Sequence, residues 1–187
     1  MTMGLKANAD GSGAIQVGGS DAITITSGLV VSMNGGVGGL VSGTAVASTS
    51  GTSIDFTSIP SWVKRITVMM NGVSTNGTSQ VQIQLGSGSF TTSGYTGAVN
   101  NGGGTNTNNS GGFQVTASIS ASDLIYGAAY IVNINSNNWV CNGTSVNGNV
   151  RLFAGSIALS GTLDRIRITT VNGTDTFDAG SINILYE

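Results

Sequence analysis

Of the 187 residues in this chain, 94 are glycine, serine, threonine or asparagine, whereas 14 are charged, the formal net charge is −2 and histidine is absent. The missing histidine removes the commonest general base, proton shuttle and zinc ligand at neutral pH, so no catalytic residue, metal site or cofactor is expected. With a pI near 4.7 and no basic run, few cations are available for counterion release, so no nucleic-acid partner is expected.

An apolar share of 39% can close a modest core, and the low net charge gives little drive toward expansion. A soluble monomer normally carries a surface about 25–35% charged. A surface this poor in charge therefore points to an assembly partner.

The chain opens on a polar stretch, MTMGLKANADGSG, without the apolar core of a signal peptide. No later window approaches roughly 18 continuous apolar residues. The expectation is a protein made in the cytoplasm that does not insert into membranes. Next come short β patterns, Ala14-Ile15-Gln16-Val17 and Ala22-Ile23-Thr24-Ile25-Thr26, followed by Leu29-Val30-Val31. So few short strands cannot stand alone. Ile15, Val17, Ile23 and Ile25 are accordingly expected to form an assembly arm that packs on the main domain or on neighbouring copies. The run Asn34-Gly35-Gly36-Val37-Gly38-Gly39 reads as a hinge, because no Gly-Lys-Ser/Thr follows it to make a phosphate loop. Domain boundaries are set at 1–42 for the arm or stem and 43–187 for the main domain.

From Thr44 onward, strand signals recur with turn signals between them. Trp62, Lys64, Ile66, Val68 and Met70 fall on one strand face, which Asn71-Gly72 is expected to close. Gln80, Gln82 and Gln84 alternate with Val81, Ile83 and Leu85, predicting one wet and one dry face. Gly94 to Gly112 reads as an exposed loop, and Ser120 to Leu124 as one helical turn at most. Further strands are predicted over 128–134, 149–159, 163–170 and 176–186, with Asn172-Gly173 as a hairpin turn between the last two. No window sustains a 3.6-residue apolar period. The expected fold is all-β, a jelly-roll-like antiparallel β-sandwich of roughly eight strands preceded by a short β-rich arm.

Each candidate for chemistry has a plain alternative. Cys141 is the single cysteine and lacks a histidine partner, so it reads as a buried thiol, and no intrachain disulfide can form. Asp175 and Asp178, three apart, could flank a glycosidic bond or hold calcium, or could bond local turn backbone. Arg165 and Arg167 share a strand face beside Asp164, with Arg151 as an expected neighbour across the sheet. They offer an anion site or ordinary ion pairs. Trp139 and Tyr95, with Tyr126 and Tyr130, could stack on sugar rings or pack the core, and Trp62 reads as core. Asn76, Asn108, Asn142 and Asn172 each begin an N-x-S/T sequon, read here as turn chemistry.

Thr44 to Tyr95, containing SGTSIDFTSIPSWVKRITVMMNGVSTNGTSQVQIQLGSGSFTTSGY, and the ending LSGTLDRIRITTVNGTDTFDAGSINILYE resemble a domain of tailed-bacteriophage virion proteins. ADGSGAIQVGGSDAITITSGLVVSM is similar to the short β-repeats that begin phage fibre and appendage proteins. The resemblance implies a non-enzymatic, homotrimeric structural protein located on the virion. Its expected partners are its own copies and the major capsid protein or other virion proteins. Two roles follow. One is a capsid decoration or cement protein. The other is a tail or neck fibre that recognises host surface polysaccharide through end loops around 94–112 and 135–148, and a depolymerase acting through Asp164, Asp175 and Asp178 is a third class.

Overall fold

A computed structural model describes residues 3–7, 13–17, 20–25, 31–33, 39–100 and 106–187. The chain divides into two compact units, Met1–Leu40 and Val41–Glu187. In the first, β1 (Met3–Ala7), β2 (Gly13–Val17), β3 (Ser20–Ile25) and β4 (Val31–Met33) form an antiparallel sheet in chain order. The polar opening stretch thus contains a strand that its composition did not suggest. Ile15 stands opposite Leu5 on one side and Ile23 on the other, Val17 opposite Met3 and Ser20, and Ile25 opposite Gly13 and Val31. The expected hinge at 34–39 lies outside the described residues except for Gly39.

The second unit is an antiparallel β-sandwich of two sheets. Its strands are β5 (Val41–Ser42), β6 (Val46–Ala47), β7 (Ser53–Thr57), β8 (Arg65–Thr75), β9 (Val81–Ser87), β10 (Ser89–Phe90), β11 (Thr96–Asn100), β12 (Asn106–Asn109), β13 (Phe113–Gln114), β14 (Ile125–Asn135), β15 (Asn138–Val146), β16 (Val150–Ala158), β17 (Arg165–Thr170) and β18 (Phe177–Tyr186). The small sheet runs β10-β9-β17-β7, with β13 also on β9. The large sheet runs β12-β11-β16-β15-β14-β8-β18-β5, with β6 also on β18. Because β5 pairs with β18, Val41 and Ser42 belong to the sandwich and not to the arm.

The chain alternates between sheets at β7, β8 and β9 and again at β16, β17 and β18, which is the jelly-roll-like feature. The chain departs from that pattern at the hairpins β9-β10 and β11-β12 and at the meander β14-β15-β16, each of which stays in one sheet. Period two explains the interior. Ile54 and Phe56, Ile66, Val68 and Met70, Val81, Ile83 and Leu85, and Ile166 and Ile168 all turn inward and form one buried cluster. Each fully buried side chain of this kind contributes roughly 1.5–3 kcal/mol.

Four expectations about local structure need correction. Asn71-Gly72 does not end its strand; Gly72 takes φ +65° inside β8, opposite a register shift in β18. Asn172-Gly173 joins strands of different sheets and is not a hairpin, since the positive φ of Gly173 serves a crossing loop equally well. The segment 94–112 is no simple loop, because β11 and β12 pair within it; residues 101–105 of it lie outside the described residues. The stretch 135–148 is mostly β15, entered by a tight turn in which Asn138 Nδ2 donates to Asn135 Oδ1 at 2.8 Å. At 120–124 the chain makes a single turn, closed by the Asp123 N–H donating to Ser120 O.

Candidate functional site

Two surfaces of the sandwich carry features that the core does not explain. The first is the outward face of the small sheet. While Val81, Ile83 and Leu85 point inward, Gln82 and Gln84 emerge on the other side, yet both are buried. The predicted wet face is therefore covered. Register lines up two rows across the strands, Gln114–Gln82–Thr169–Ser53 and Gln84–Arg167–Asp55.

Above these rows lies a groove of about 600 Å³, bordered by Asn108–Gly111 and by Val171–Gly173. Its amides are tied down from behind: Gln84 Nε2 donates to Gly111 O at 2.8 Å and Gln82 Nε2 to Thr170 O at 3.4 Å. Thr169 Oγ1 donates to Thr52 O at 2.8 Å. Two lining oxygens, Gln114 Oε1 and Asn109 Oδ1, are buried without a hydrogen-bond partner.

Among the described residues, Arg167 is the one charged side chain lining this groove. Its Nε and Nη2 donate to the two carboxylate oxygens of Asp55 at 2.8 and 2.7 Å, and the ring of Phe90 lies 4.0 Å from its guanidinium carbon. That hydrogen-bonded pairing raises the Arg167 pKa further. Arg165 is likewise committed, with Nε and Nη2 on Asp164 at 2.7 and 3.1 Å. The Arg165 hydrogen bond, with help from the Gly88 N–H, holds the Asp164 carboxyl below its ordinary value. Arg151 does not neighbour these two. It sits in β16 of the other sheet, buried, with Nε donating to Asn147 Oδ1 and Nη2 to Ser118 Oγ.

The second surface is the outward face of the meander. Here Tyr126, Val146 and Val150 align across the three strands, as do Ala128, Thr144 and Leu152, and Tyr130, Asn142 and Ala154. Val150 and Leu152 are 64% and 59% exposed, Tyr126 and Tyr130 nearly half. No residue turned outward on β14, β15 or β16 is charged.

Trp139 and Tyr95, expected as contact residues, are both 3% exposed and belong to the core. Neither can serve as an open stacking platform. Tyr95 packs edge-on to Phe113 at 4.9 Å, and its hydroxyl accepts the Leu85 N–H at 2.7 Å. Burial pushes its pKa up to about 12. Trp139 has a buried Nε1–H without an acceptor and lines a hollow of about 430 Å³ with Ile134, Asn135 and Ile157. Trp62 reverses the opposite expectation: it precedes β8 in a turn, is 37% exposed and stacks at a tilt on Tyr186 at 5.9 Å. Ile15 is half-buried, and the side chains of Val17, Ile23 and Ile25 lie outside the described residues.

Of the remaining titratable candidates, Asp175 serves a turn, Asp178 lies exposed in β18 and Cys141 is buried in β15. Asp175 accepts the Ser79 N–H at 2.9 Å and Asn172 Nδ2 at 2.7 Å, while Asn172 Oδ1 caps the N–H groups of Thr174 and Asp175. The Asn172 hydrogen bond, then the Ser79 N–H, lowers the Asp175 pKa. Its carboxylate occupies the space a Cβ on Gly77 would need. Burial raises the pKa of Cys141. Among the described residues, no three His, Cys, Asp or Glu side chains gather as a metal site, and no helix is long and apolar enough to cross a membrane.

The sequence pattern gave no sign of the groove, although Gln82 and Gln84 were visible as an alternating pair. Period two reveals that they share a face and is silent about what covers it. Compared with known proteins, the chain matches no family model, no curated protein and no solved structure.

Proposed function

We propose that this protein is a non-enzymatic bacteriophage virion component, a trimeric decoration protein that binds assembled capsid and stabilises it. The observation that carries the reading is the uncharged, partly apolar outward face of β14–β16. Monomers rarely leave contiguous apolar patches beyond a few hundred Å² in water. Its three strands, about 4.8 Å apart and about 30 Å long, present roughly 430 Å², about half of the ~800 Å² per partner of a standard interface. Protein that binds assembled shell better than free subunits stabilises the shell by mass action. In this reading the apolar sheet face joins the copies of the trimer, and the sparse charges contribute little to association.

The carboxylates bear on the enzymatic alternative. A glycosidase needs one acid held protonated opposite a second carboxylate. Asp164 and Asp175 are instead both held ionised by their donors. A tail or neck fibre that contacts host polysaccharide is the second reading, and the polar groove of the small sheet is the observation that favours it.

The test is to label Glu187, image the label on virions, and heat particles made without the protein. Label spread over the head, with heat-fragile particles in its absence, is the expected result. Label confined to the tail or neck, with heads of normal heat resistance and failed adsorption, would replace decoration by the fibre reading.

A further inference from the structure

The groove on the small sheet lies on a different face from the assembly surface and calls for its own explanation. Its volume, about 600 Å³, falls within the roughly 300–1,000 Å³ range of small-molecule sites. Such sites are mostly apolar, whereas this one is floored by carboxamides and hydroxyls. We propose that the groove binds a neutral saccharide.

Three features select that class. First, among the described residues the one cation at the groove is already compensated: Arg167 gives Nε and Nη2 to Asp55 and lies against Phe90, so a phosphate, sulfate or nucleic-acid backbone competes with a bidentate carboxylate for its remaining N–H donors. Second, the amide nitrogens of Gln82 and Gln84 are turned onto backbone carbonyls, which leaves their carboxamide oxygens as acceptors. Third, Gln114 is 6% exposed and its Oε1 is unpartnered, as is Asn109 Oδ1 in the same lining. A buried acceptor without a donor costs about 1–3 kcal/mol. A ligand rich in hydroxyl groups and without charge supplies the missing donors.

The arrangement is also pre-organised. Gln114, Gln82 and Thr169 stand in register on three adjacent strands, and the Gln84–Gly111 hydrogen bond fastens the bordering segment to β9. A ligand therefore meets fixed polar groups, which limits the ordering cost of binding. This inference depends on the groove and not on where the protein sits on a particle. Its failure would leave the decoration reading untouched, and the reverse also holds.

The experiment is calorimetric titration of the full chain with neutral hexasaccharides of glucose, mannose and N-acetylglucosamine, and with the acidic hexasaccharide of galacturonic acid. The expected result is saturable binding of at least one neutral hexamer and weaker binding of the acidic one. Thr92 is an exposed lining residue, so Thr92→Trp fills the groove without touching the core and should weaken binding about tenfold or more. Gln114→Met should weaken it similarly while leaving the unfolding temperature unchanged or higher, because an unmet acceptor is removed. No binding of any neutral hexamer, tighter binding of the acidic one, or binding undiminished by Thr92→Trp would each overturn the proposal.

Discussion

Tyr95 shows how one hydroxyl can hold a strand that its own ring packs beneath. The phenol accepts the Leu85 N–H in the core, so Tyr95→Phe orphans a buried donor and should cost about 1–3 kcal/mol by denaturant unfolding. The phenol's pKa is raised, so its contribution is fully present below about pH 10 and is lost as pH rises through about 12. Asp175 works at the other end of the scale. Its pKa is lowered, so its contribution is present above about pH 4 and is lost as pH falls through the depressed folded value. Asp175→Ala should therefore lower the melting temperature at pH 7 and flatten its decline below about pH 4; an unchanged acid limb would remove the role assigned to this carboxylate. Cys141, buried and shifted toward the thiol, should resist alkylation at pH 8 until the protein unfolds.

At the scale of elements, the predicted strands over 128–134, 149–159, 163–170 and 176–186 correspond to β14, β16, β17 and β18, because long alternating runs declare themselves. The turns were less legible. Asn-Gly signals a positive φ, and Gly72 inside β8 and Gly173 in a crossing loop satisfy that demand without making a hairpin. Gly180 is the companion of Gly72: it holds φ +89° in β18, and a Cβ there would strike the Gly72 carbonyl. Gly180→Ala should cost about 2–4 kcal/mol, measurable as a shift in the denaturant midpoint. Trp139 and Trp62 exchanged their expected places for a related reason. Trp139 follows a polar turn but falls at an inward position of β15, whereas Trp62 is separated from β8 by Val63 and Lys64 and never joins its face. The groove was hidden because its floor is assembled from four strands distant in sequence, and alternation within one strand says nothing about its cover.

For the whole molecule, the sparse charge noted in the sequence and the uncharged meander face are the grounds for the proposed association of chain copies through the large sheet. Leu152 is exposed, and its replacement by aspartate leaves the core cluster intact. A buried, unpaired carboxylate at an interface costs several kcal/mol, so Leu152→Asp should dissociate the assembly without altering the unfolding transition of the separated chain. The groove face of the small sheet should stay open in the assembled form, so saccharide binding and association should vary independently.

The most direct test of the account is the solution mass at micromolar concentration of the natural chain and of Leu152→Asp, measured by light scattering. The account predicts three times the 18.7 kDa chain mass for the natural protein and a single chain for the variant. A monodisperse single chain for the natural protein, or an undiminished oligomer for Leu152→Asp, would contradict it.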